Sequence, residues 1–121
     1  MAIDIAGQKL FERFAAGAFT ELISDEPLRL SEFLRMRAKE DEIEALAILA
    51  DVVSRVYIFF LDHEERGGVA VDFVATLDGL IFKYLPIIRS GNLDRRTRSA
   101  NNLQTEVLAK IDRYQPTDFS V

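Results

Sequence analysis

The stretch from Asp41 to Arg66, DEIEALAILADVVSRVYIFFLDHEER, constrains this chain more than any other. It is the longest strongly apolar segment and holds neither Gly nor Pro. As an α-helix of ~25 residues it would span ~37 Å, at about 1.5 Å per residue. Glu44, Asp51, Arg55 and Asp62 recur at spacings that stack them on one narrow stripe, and the rest of the cylinder, Leu49, Val53, Phe59 and Phe60 included, is apolar. A helix apolar around most of its circumference needs neighbours on several sides. The segment therefore reads as the central helix of a compact bundle, with Phe60 expected inside, opposite the polar stripe. A membrane span is excluded on the same residues. Spanning takes about 20 apolar residues, whereas here Asp51 and Arg55 fall mid-segment, each costing about 2.5–3.5 kcal/mol in a bilayer.

The remaining segments share the same 3.6-residue period. Gln8 to Ile23 reads as one helix, with Leu10, Phe11, Phe14, Leu22 and Ile23 inward and a small-residue centre, Ala15 to Ala18, fit for close helix approach. Met1 to Gly7 reads as a flexible arm, with Asp4 a candidate N-cap for the first helix. Pro27 opens a short helix over Leu28 to Lys39, with Ser31 a candidate cap and Leu30, Phe33, Leu34 and Met36 inward. Asp41-x-x-Glu44 has the form of a capping box for the central helix, although nothing in the Lys39–Glu42 segment forbids one continuous helix from Ser31 to Arg66. Gly67-Gly68 supply the turn after it. Val69 to Ile88 is a second, nearly as apolar helix, expected to kink or end near Leu85 because Pro86 removes a hydrogen bond and crowds the preceding turn. Asp94 is expected to cap a last helix reaching Tyr114, whose thin stripe of Leu93, Ala100, Leu103, Val107, Leu108, Ile111 and Tyr114 suits a helix covering the bundle from outside. Residues 115 to 121 read as a tail. The expectation is a single all-α domain over residues 1–121, an up-and-down bundle of four to five helices with the two most apolar ones at its centre.

Composition narrows the chemistry. No cysteine among 121 residues means no disulfide, no thiolate metal site and no cysteine nucleophile, which suits a cytoplasmic protein. The start, MAIDIAGQKL, lacks the basic and apolar regions of a secretory signal. Phosphate-cradling Gly-rich loops, Gly-x-Ser-x-Gly and calcium-loop spacings are all absent. His63 is the single histidine, and no Glu-x-x-His accompanies it, so no di-metal bundle site and no catalytic zinc set can be assembled. The expectation is no enzyme activity, no metal and no cofactor. His63-Glu64-Glu65-Arg66-Gly67-Gly68 resembles the His-x-x-Lys-Gly of the histidine-phosphotransfer family, and Arg89-Ser90-Gly91-Asn92-Leu93 resembles the loop opening the last helix of those bundles. The resemblance implies a phosphoryl-accepting His63 with Arg66 in place of the attracting Lys. Glu64 and Glu65, however, would repel a phosphoryl group.

Charge is unevenly placed. Net charge is −5, yet residues 40–65 hold eight carboxylates against one arginine, while residues 27–39 and 89–121 are net basic. Arg89, Arg95, Arg96 and Arg98 are the residues that stability explains least. Three of them fall near the start of the last helix, where cations oppose the helix dipole, and Arg is the side chain suited to bidentate contacts with carboxylates and phosphates. Two readings stand side by side: an anion-facing binding surface, or a match to the acidic start of the central helix within or between subunits. The expected function is that of an interaction protein with an unidentified protein partner and with self-association into a homo-oligomer. Nucleic-acid phosphates at Arg95, Arg96 and Arg98 are the alternative anion.

Overall fold

A computed structural model describes residues 4–115. Among them there are six helices and no strand: α1 (Ile5–Ala15), α2 (Phe19–Asp25), α3 (Pro27–Glu40), α4 (Glu44–Glu64), α5 (Val71–Ser90) and α6 (Leu93–Arg113). The all-α expectation holds, and the count of four to five helices does not. Of the expected arm, residues 1–3 lie outside the described residues, whereas Ile5 to Gly7 are already helical. Asp4 starts α1 by accepting from the Gly7 amide at 2.9 Å, and Arg29 of α3 reaches the same carboxylate at 2.8 Å. Gly7 permits α1 to lie against α3, because a Cβ there would stand 2.5 Å from the Phe33 ring.

The extra helix comes from a break that the periodicity conceals. The expected Gln8–Ile23 helix is cut at Gly17, whose φ of +112° suits glycine and few other residues. The corner lets Phe14 and Phe19 meet edge to face at 5.3 Å and sends Phe19, Leu22 and Ile23 into the core. α2 has no cap of its own at Ala18. Asp78 of α5 supplies one from across the molecule, accepting from the Thr20 amide and from its hydroxyl, both at 3.3 Å.

Three other expected caps are replaced. Ser31 lies inside α3, buried, donating to the Ala50 carbonyl and pairing with Ser54, so it ties α3 to α4. The Asp41-x-x-Glu44 box does not form. Ile43 takes the N-cap position of α4, Glu42 turns the chain at φ +56°, and Asp41 reaches back to Arg37 at 2.7 Å. This turn also rules out a continuous Ser31–Arg66 helix. Asn92, not Asp94, caps α6 by accepting from the Arg95 amide at 2.9 Å. Pro86 does not end α5, which runs on to Ser90. Pro86 and Phe82, the residue whose carbonyl loses its partner, are both exposed, so water can take that bond.

The packing order is the main departure. α4 lies between α3 and α6, and α6 lies between α4 and α5; α4 and α5 meet mainly through side chains such as Phe59 and Phe73. The last helix is therefore a central wedge and not an outer cover, because its stripe of Ala100, Leu103 and Val107 is fully buried. α4 and α6 run the same way: Gln104 donates to Asp51 at 2.7 Å near their middles, and Tyr114 meets Phe59 and His63 near their C-termini. Phe59, not Phe60, is the inward aromatic of α4; Phe60 is half-buried.

Candidate functional site

The structure divides the four arginines into two kinds. Arg96 turns inward, its Nε donating to the Ile88 carbonyl at 2.6 Å, and so completes the C-terminal end of α5. Arg89, in the last turn of α5, sits 5.5 Å above the Phe11 ring, a cation–π contact that ties α5 to α1. Arg95 and Arg98 are neighbours at i, i+3 on the exposed side of α6. Among the described residues neither takes part in an ion pair.

The acidic start of α4 is close by. Asp51 and Gln104, 53 residues apart in sequence, are level on the parallel helices. The same offset sets Arg95 and Arg98 level with the segment from Glu42 to Ala45. Glu40, Asp41, Glu42 and Glu44 are all exposed there, and Arg37 is the cation that pairs with Asp41. Basic and acidic turns thus share one end of the bundle without neutralising each other. The intramolecular match that the sequence allowed is not made among the described residues.

His63 belongs to a packed aromatic cluster at the opposite end. Its ring lies 4.4 Å from Phe59 and 5.1 Å from Tyr114, and its Nδ1 is 2.9 Å from the Phe59 carbonyl. Tyr114 in turn packs at a tilt against Phe73, 4.5 Å between ring centres, and accepts from the Ala70 amide at 3.0 Å. α4 ends at Glu64, so the stretch resembling a phosphotransfer motif leaves the helix before Arg66 and turns at Gly67 and Gly68, both with positive φ. The described residues contain no grouping of three or more His, Cys, Asp or Glu that could hold a metal ion.

Two open clefts flank the C-terminal half of α4, and sequence reasoning named neither. One, of about 500 Å³, lies toward α2 and α5. It has Tyr57, Phe60, Leu61, Val69 and Val74 as apolar lining and Glu21 and Glu64 as its charged residues. The other, of about 390 Å³, lies toward α6, with Ile58, Leu108 and Ile111 beside Asp51, Asp62 and Asp112. Among the described residues Arg55 is the one cation lining either cleft, and Asp51 holds it at 3.0 Å. Between the clefts Ile58 and Leu61, 55% and 46% exposed, form a ridge. The signal for this surface was an apolar arc on α4 wider than its neighbours can cover.

Asp78 is the one described carboxylate clearly shifted. Burial raises its pKa above the usual carboxylate value of 3.8, and the two Thr20 bonds oppose the rise. It serves the α2 cap and faces neither cleft.

No protein-family model matches the chain, and comparison with curated proteins and with solved structures returned no match. No helix among the described residues is long and apolar enough to cross a membrane.

Proposed function

We propose that this is a non-enzymatic, cytoplasmic interaction protein, a small adaptor, regulator or assembly subunit that works through surface contacts and self-association. The observation that carries the reading is the pair Arg95 and Arg98, exposed and without an ion pair among the described residues, level with an equally exposed acidic turn at the same end of the bundle. Two such ends are self-complementary. A two-fold arrangement sets the arginines of each copy against Glu40–Glu44 of the other, the isologous pattern of most homodimers. Arg96 and Arg89 are not part of this surface, because their partners are internal.

Sedimentation velocity tests the proposal on the wild-type chain and on the Arg95→Glu/Arg98→Glu double variant. The expected result is a dimer at low salt that loosens as salt rises, since charges brought together this way are screened over ~10 Å at about 0.1 M salt. The double variant should be monomeric with unchanged helicity. A wild type that stays monomeric at low salt removes self-association from this surface. Nucleic-acid binding with a steep salt slope would then assign the arginines to phosphates.

A further inference from the structure

The ridge between the two clefts is a surface of a different kind from the arginine end. Ile58 and Leu61 stand at i, i+3 on α4, with Val71, 83% exposed, opening α5 nearby in sequence beyond the turn. Apolar side chains at this spacing, with a groove on each side, are the shape against which a second helix packs by ridge and groove. The level of this ridge is about 20 Å along α4 from the arginine end, at about 1.5 Å per residue.

Charge decides what kind of helix fits. Glu21 and Glu64 line one groove and Asp51, Asp62 and Asp112 the other, against Arg55, which Asp51 already holds. The C-terminal end of α4, with the negative end of its dipole, lies at the same place. Asp51 is already held by Arg55 and Gln104, but a neutral apolar partner would cover Glu21, Asp62, Glu64 and Asp112 without pairing them, a costly desolvation. An acidic helix or an anionic membrane would be repelled. A helix with an apolar stripe flanked by Lys or Arg both covers Ile58 and Leu61 and neutralises the carboxylates on either side.

We propose that the C-terminal half of α4 is the docking ridge for a basic amphipathic helix of a protein partner, seated over Ile58 and Leu61 with its cations against the carboxylates of the two flanking clefts. The proposal rests on the reading of the protein as one that acts by surface contact, but its residues and its test are separate from those of the arginine end.

The probe is a fluorescein-labelled Leu–Lys helix of about 18 residues, five turns with leucine at i, i+3, i+4 and i+7. A Leu–Glu helix of the same apolar pattern is the comparison, with fluorescence anisotropy on the full chain as the readout. The Leu–Lys helix should bind, and the Leu–Glu helix should not. Ile58→Asp/Leu61→Asp should weaken binding by about tenfold or more, as loss of a central anchor does, and so should Asp62→Lys/Glu64→Lys. Glu12→Lys/Glu32→Lys makes the same change in net charge on exposed positions of α1 and α3, and should leave the affinity unchanged. Circular dichroism checks that each variant keeps its helicity. Absence of binding, equal binding of both helices, or equal loss from the two carboxylate pairs would overturn the proposal. So would a self-associated species that the ridge variants dissociate, because the occupant would then be a second copy of the chain.

Discussion

α4 and α6 lie side by side in the same direction, and they reach the core by opposite routes. α4 is apolar around most of its surface, yet its neighbours cover only part of it, and Ile58 and Leu61 stay in water. α6 is strongly polar, with a stripe only one or two residues wide, yet Ala100, Leu103 and Val107 are completely buried between α4 and α5. Overall hydropathy therefore does not rank helices by depth. A narrow stripe of small and medium side chains lets two neighbours close in from both sides, while a broad apolar surface needs more neighbours than a chain of 121 residues supplies. The unburied part of α4 is a surplus that its neighbours do not cover, and that surplus makes the region a candidate for binding.

Truncating Leu103 breaks the comparison most directly. Leu103→Ala should destabilise by about 2–5 kcal/mol, the usual cost of a cavity at a fully buried leucine. Denaturant unfolding at pH 7 is the measurement. A loss near zero would return α6 to the outside of the bundle.

A smaller effect is expected at Asp78, where a side chain on α5 caps α2. Asp78→Ala removes the acceptor of both Thr20 bonds and should cost about 1 kcal/mol, as lost caps do. Asp78→Asn keeps an acceptor and removes the charge, so the difference between wild type and this variant as pH changes isolates the titration of Asp78. Because the folded pKa lies above 3.8, the ionisation-linked stability of Asp78 is fully present below that value and is lost as pH rises through the folded pKa. Wild type should thus gain stability relative to Asp78→Asn as pH falls from neutrality toward 3.8. Unfolding curves across that range give the sign directly; a relative loss on acidification would mean that the Thr20 bonds outweigh burial.

The smallest effect sharpens the other side of the comparison. Ile58→Ser and Leu61→Ser should each change stability by no more than about 0.5 kcal/mol, as surface substitutions do. Two apolar residues on one of the two most apolar helices would then contribute less to folding than one leucine on a polar helix. A cost above about 2 kcal/mol at either position would show that the ridge is covered in the folded molecule and closed to a partner.

Much of this was legible in the sequence. The all-α class, the main helical segments, the outward stripe Glu44–Asp51–Arg55–Asp62 and the inward Leu30, Phe33 and Leu34 come from apolar period alone. The candidate sites were legible only in part. Arg95 and Arg98 stand exposed, as a binding surface requires, while Arg96 and Arg89 are taken up by a carbonyl and a ring that lie elsewhere on the folded chain. Local pattern also misled at the caps. Asp41, Ser31 and Asp94 have the right chemistry for capping, but Asp41 pairs with Arg37, Ser31 bonds the Ala50 carbonyl inside the fold, and Asn92 takes the cap position of α6.

What the sequence determined by itself was the main helical segments and the direction of their apolar sides, though not the break at Gly17, because a 3.6-residue period and the turn residues act within a few positions of one another. What only the tertiary structure decided was which sides meet. The wedge of α6 between α4 and α5, the Asp78 cap on α2 across 58 residues, and the clefts beside Ile58 and Leu61 all depend on close packing between segments distant in sequence. Two apolar stripes look alike to a local pattern, and the fit of their side-chain volumes in three dimensions selects the pairs that close without voids.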